Sequence, residues 1–83
     1  METKPGMIVK SAAGRDKGKF MAVIAMDGDF VFLADGKERK LASPKKKRIK
    51  HIRVTKTVID TDGLTDKGLR TLLRGFAEKE QSL

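Results

Sequence analysis

The chain reads as a small, mainly β barrel followed by one C-terminal α-helix, and three observations predict it. Short apolar runs alternate with Gly- and Asp-containing turns from Gly6 to about residue 56, the rhythm of a tight strand meander. The period then changes: Leu69, Leu72, Leu73 and Phe76 fall at i, i+3, i+4 and i+7, one face of a helix. Eighty-three residues with a 39% apolar share suffice for one small domain, and a second independent core is not expected.

Residues 1–5 form an N-terminal tail, and the barrel spans 6–56. Met7-Ile8-Val9 is the first strand, closed by the small residues Ser11-Ala12-Ala13. A polar loop bracketed by glycines follows, Gly14-Arg15-Asp16-Lys17-Gly18-Lys19. Phe20 to Met26 is a continuous apolar run, which suits a strand buried on both faces or bent around a barrel. Asp27-Gly28-Asp29 is a turn, and Phe30 to Ala34 returns as the third strand. Phe30 and Phe32 share one face of it; core filling is their expected role, since few other large residues are present, and base stacking is the alternative.

Asp35-Gly36 is a preferred pair for a two-residue hairpin. It leads into a charged edge strand, Glu38 to Leu41, whose charged side chains would discourage sheet-to-sheet association. Ser43-Pro44 breaks that strand, and Ile49 to Val54 is the last, with Ile52 and Val54 pointing inward. Five short strands joined by tight turns predict an SH3-like closure, which removes most open edges.

Residues 57–83 are a linker and an amphipathic helix. Asp60-Thr61-Asp62-Gly63 is a turn, Thr65 the expected N-cap, and Asp66 lies near the positive dipole end. Gly68 and Gly75 each weaken the helix by about 0.8–1 kcal/mol relative to Ala. Such a helix needs a docking surface, on the barrel by expectation or on a protein partner.

Charge narrows the function. The net charge is +8 with a pI near 10.1, and it is concentrated. Residues 37–56 hold Lys37, Arg39, Lys40, Lys45, Lys46, Lys47, Arg48, Lys50, Arg53 and Lys56 against Glu38 alone. A solubilising loop explains a few lysines, but a window this one-sided is the footprint of a polyanion binder. Membrane-surface binding would want these charges on one face of an amphipathic helix, which Pro44 opposes. The longest apolar run falls far short of the roughly 20 residues a membrane span needs. No secretory signal opens the chain, so a cytoplasmic location is expected.

With no Cys and one His, disulfides and thiolate zinc sites are excluded and neither metal nor cofactor is expected. His51 sits between Lys50 and Ile52, where an edge or phosphate-facing role is expected rather than catalysis. Asp27, Asp29 and Asp35 all neighbour glycines, where Asp is favoured by its own backbone hydrogen bonds. Without a nucleophile–base pair or metal cluster, neither enzymatic activity nor a small-molecule substrate is expected.

The glycine-bracketed loop is the most informative motif. Gly14 and Gly18 can adopt backbone angles closed to other residues and let a phosphate backbone approach, with Arg15, Lys17 and Lys19 as a charged rim. The spacing is not that of a P-loop, because Gly14-x3-Gly18 leads into a strand. A tight bulged turn would use the same glycines, so spacing alone leaves both readings open.

In context, Gly6 to Met26 resembles a KOW motif. The matching residues are Gly6-Met7-Ile8-Val9, then Gly14-Arg15-Asp16-Lys17-Gly18-Lys19-Phe20, then Val23. Met21 departs from the pattern, since many members carry a second glycine there. Phe30 to Thr55, with Leu33-Ala34-Asp35-Gly36, a basic segment and Ile52-Arg53-Val54-Thr55, is similar to the large-subunit ribosomal protein fourteen-e family. The resemblance implies an SH3-like barrel that contacts ribosomal RNA, and it does not extend to the helix.

The combined expectation is a non-enzymatic RNA-binding protein. Gly14, Arg15, Lys17, Gly18 and Lys19 would form one phosphate-gripping surface with Lys37, Arg39, Lys40, Lys45, Lys46, Lys47, Arg48, Lys50 and Arg53. The alternative is a protein-binding SH3-like adaptor on the transcription machinery. With no Trp and no Tyr, the chain is poorly equipped for an aromatic-lined peptide groove.

Overall fold

In a computed structural model that describes residues 2–81, the first three strands divide their apolar residues between two cores. These strands are β1 (Met7–Ser11), β2 (Phe20–Asp27) and β3 (Phe30–Ala34). Met7, Val9, Met21, Val23, Val31 and Leu33 point into the barrel and are buried. Ile8, Ala22 and Ala34 point the other way and are covered by Leu69 and Leu73 of the helix α1 (Asp66–Gln81). Alternation along each strand thus explains the unbroken apolar run of β2, which serves both cores.

A fourth strand, β4 (Lys45–Arg48), follows β3, and a 3-10 turn over Ile49–His51 leads into β5 (Ile52–Val58). The sheet order is β4-β3-β2-β1-β5, antiparallel throughout. A meander whose last strand returns to pair with the first is the SH3-like barrel that the strand rhythm predicts. The Ile49 amide donates to the Asp29 carbonyl at 2.9 Å, holding the 3-10 turn against the β2–β3 turn. A register shift between Val23 and Ala25 bends β2, as bulges do at barrel corners.

The helix begins as expected. Thr65 Oγ1 accepts the Gly68 amide at 3.0 Å, the reach of an N-cap. Asp66 Oδ1 accepts the Leu41 amide at 2.8 Å, so the first turn of α1 also fixes the loop ahead of β4. Gly36 lies against the backbone of Asp66, and a Cβ there would strike the Asp66 carbonyl. Phe76 meets Phe20 edge to face, centroids 5.0 Å apart.

Several expectations are corrected. Glu38 to Leu41 is not a strand, and Asp35-Gly36 is not a two-residue hairpin turn. The Asp35 carboxylate accepts the Lys37 and Arg39 amides at 2.8 and 2.9 Å, which curls the chain into a loop and delays the edge strand to β4. Phe30 and Phe32 do share a face, but it is the outer one: Val31 and Leu33 take the core positions with no exposure. In a strand apolar on both sides, period two sets the alternation and not its phase. Ile52 packs on the barrel core, whereas Val54 is 38% exposed, and β5 starts after the 3-10 turn and runs past residue 56 to Val58. Leu72 is 45% exposed, because α1 lies on the sheet through Leu69, Leu73 and Phe76.

These placements separate two leucines three residues apart. Leu69→Ala is expected to cost about 2–5 kcal/mol, the usual penalty for a buried leucine. Leu72→Ala should stay within about 0.5 kcal/mol. Urea denaturation of both variants measures the difference.

Candidate nucleic-acid interface

The glycine-bracketed loop closes the β1–β2 hairpin. Ser11 donates its amide to the Lys19 carbonyl at 2.9 Å and accepts the Gly18 amide at 2.8 Å. Inside the loop, the Lys17 amide donates to Gly14 at 3.2 Å and the Lys19 amide to Asp16 at 2.9 Å. Gly14 and Gly18 sit at φ +82° and +90°, angles that L side chains rarely adopt. The glycines therefore act as turn residues, and the amides of Lys17, Gly18 and Lys19 are consumed within the hairpin. What the loop presents outward is side-chain charge, from Arg15 and Lys17. Lys19 instead pairs with Glu38 at 3.1 Å.

Beneath the loop lies an ion pair that the charge pattern conceals. Lys47 is only 8% exposed, and its ammonium reaches Ser11 Oγ at 2.6 Å, the Ala13 carbonyl at 2.7 Å and Asp16 Oδ1 at 2.7 Å. Its three donors thus meet three acceptors. Ser11 Oγ lies 2.9 Å from the same carboxylate oxygen, and Lys45 Nζ stands 3.3 Å from Oδ2. Burial pushes the Asp16 carboxyl up, but hydrogen bonds from Lys47 and Ser11 and the Lys45 ammonium beside it outweigh burial. The result is a carboxyl held well below the usual carboxylate range.

Lys47 accordingly stands behind the surface on which the sequence places it, and Lys45 is partly buried at the same carboxylate. Their neighbours Lys46 and Arg48 face the opposite side of β4, because a strand alternates. Lys46 Nζ lies 4.3 Å and Arg48 Cζ 5.1 Å from the centre of the Phe30 ring, within cation–π range. Lys37, Arg39 and Lys40 are exposed on the loop between β3 and β4, and Lys50 is exposed in the 3-10 turn. The loop and the basic segment thus meet in part: Arg15 and Lys19 are brought together with Arg39 and Lys45, around Asp16, Asp35 and Glu38, while Lys46 and Arg48 face the other way over Phe30.

One cluster includes a residue that lies outside the basic window. Lys10 stands opposite Arg53 in the β1–β5 register, and both line a cleft with Ser11, Ala12, Lys17 and Gly18. The signal in the sequence is the alternation of β1, which turns Lys10 outward between the buried Val9 and Ser11. Arg70 and Arg74, one helical turn apart, are likewise hidden by a C-terminal stretch of balanced charge. With Lys19 and Lys37 they border a second depression, which also contains Asp35 and Glu38.

Among the described residues, no group of three or more His, Cys, Asp or Glu side chains is placed to hold a metal ion. No described helix is long and apolar enough to cross a membrane. No protein-family model and no curated protein matches the chain.

Removing one partner of a buried ion pair strands the other. Lys47→Met is expected to cost about 3–5 kcal/mol, against less than about 1 kcal/mol for Lys46→Met, measured by chemical denaturation. The depressed Asp16 carboxyl also sets a pH dependence. Its stabilisation is complete above the unfolded carboxylate value of about 4 and is lost as pH falls through the lower folded value. Asp16→Asn should therefore flatten the fall in stability below about pH 4, followed by thermal unfolding across that range.

Proposed function

We propose that this protein is a non-enzymatic RNA-binding module of the cytoplasm that grips ribosomal RNA, free or in the ribosome, chiefly through its phosphates. The observation that carries the reading is the cleft lined by Lys10, Lys17 and Arg53 with no carboxylate among its lining residues. Lys10 Nζ lies 5.5 Å from the centre of the Phe20 ring and carries no carboxylate partner in the cleft, so a phosphodiester seated between Lys10, Lys17 and Arg53 gains their charge and releases its counterions on binding. The KOW-like pattern of residues 6–26 supports the same reading. Phosphate contacts carry no base information, so recognition by these cations is of backbone shape.

A second reading, a protein-binding adaptor, is favoured by one observation. Leu72 is exposed beside an apolar groove that also involves Ile8, Ile59 and Phe76. Partner capture that survives high salt would mark it.

The test is binding to purified ribosomal subunits and to unrelated structured RNA at several salt concentrations. Preference for one subunit that persists as salt rises supports the reading, and equal, steeply salt-dependent binding to every RNA contradicts a dedicated ribosomal site. Within the cleft, Lys10→Glu with Arg53→Glu should lower the slope of log affinity against log salt by about one for each phosphate left without its cation. An unchanged slope in this double variant assigns the phosphate contacts elsewhere.

A further inference from the structure

The outer face of the sheet is only partly covered. Near one end, Ile8, Ala22 and Ala34 lie under Leu69 and Leu73 of α1. Farther along β3 on that same face come Phe32 and Phe30, neither fully buried nor part of either buried core. Across from them in register stand Lys46, opposite Phe32, and Arg48, opposite Phe30. Two aromatic rings are thus interleaved with two cations on the part of the face that α1 does not cover.

We infer that Phe30 and Phe32, flanked by Lys46 and Arg48, form a stacking ledge for unpaired bases, so that the RNA bound here is single-stranded at this face. The inference rests on the RNA-binding reading and narrows it from RNA in general to loops or unpaired segments. Three physical points carry it. First, every base has a π-face, so phenylalanine can hold any base without base-specific hydrogen bonds. Second, the rings are two residues apart on one strand, about 6.6–6.8 Å along it, which suits two consecutive splayed nucleotides. Third, the cations are already seated at the ledge: Lys46 Nζ is 4.3 Å from the Phe30 centroid.

In the free protein that cation–π pairing orders a long flexible side chain and covers a half-buried ring. When a base takes the ring, the ammonium and the Arg48 guanidinium are left beside the attached phosphates. Asp27 stands opposite Phe30 across β2–β3; its carboxylate repels a phosphate on that side and directs the strand toward β4. Duplex RNA keeps its bases stacked inside the helix and offers the rings nothing.

The experiment compares a single-stranded RNA carrying one 2-aminopurine with the same sequence closed into a hairpin duplex. The wild type should bind the single strand more tightly and change its 2-aminopurine fluorescence. Phe30→Leu keeps apolar bulk and removes the π-face; it should weaken single-strand binding on the order of 5- to 100-fold, the range for one base–aromatic stack. Duplex binding should be unchanged, and the melting temperature should fall by no more than about 4–8 °C, the shift for about 1 kcal/mol in a domain of this size. Phe32→Leu is measured alongside, so the ledge is tested even if one variant is poorly folded.

Equal wild-type affinity for single strand and duplex, or full affinity in both leucine variants, overturns the stacking ledge and leaves phosphate binding standing. Failure of the wild type to bind any RNA overturns both readings and leaves the face to a protein partner.

Discussion

The arrangement of the basic surface depends on one buried ion pair. Lys47 reaches under the β1–β2 hairpin to Asp16, Ser11 and Ala13, joining the glycine loop to the strand farthest from β5 in the sheet. A lysine is an expensive residue to bury, and this one is tolerated because each of its donors has an acceptor. The same pairing decides which of its neighbours face solvent. With Lys47 turned inward, Lys46 and Arg48 must turn outward, over Phe30. The clasp therefore holds the loop in place and aims the cations at a surface.

The helix performs the complementary selection. By docking Leu69 and Leu73 on Ile8, Ala22 and Ala34, it buries one end of an apolar outer face that a lone barrel would expose. Thr65 caps it, and Asp66 binds the Leu41 amide. These interactions fix how far the helix reaches, and Phe30 and Phe32 remain beyond it. Core formation and the candidate interface are consequences of the same alternation along β3, with Val31 and Leu33 on one side and the two phenylalanines on the other.

Much of this is legible in the chain itself. Turn residues at Asp27-Gly28-Asp29, the apolar run from Phe20 and the change of period after Gly63 mark strands and helix because each reflects local chemistry. Phase is not legible: β3 is apolar on both faces, and only the choice of Val31 and Leu33 for the core sends Phe30 outward. Nor is the edge strand, since the Asp35 carboxylate rolls Lys37 to Arg39 into a loop and moves pairing to Lys45–Arg48. A run of four cations looks like a solvated segment, whereas in a strand alternate members must face the interior. The lone acid in the cationic loop, Asp16, is the residue that makes this possible. Lys10 is hidden for a different reason, lying outside the basic window and joining Arg53 only through strand pairing.

The central claim is that RNA engages the outward cations and aromatics of this sheet while Lys47 stays in its buried clasp. Amide and lysine side-chain chemical shifts, mapped during titration with single-stranded RNA, test it most directly. Shifts gathered at Phe30, Phe32, Lys46 and Arg48 and around Lys10, Lys17 and Arg53, with the Lys47 ammonium unmoved, are the predicted result. Shifts centred on Lys47, or on Leu72 and Phe76 with the β3–β4 face silent, would contradict it.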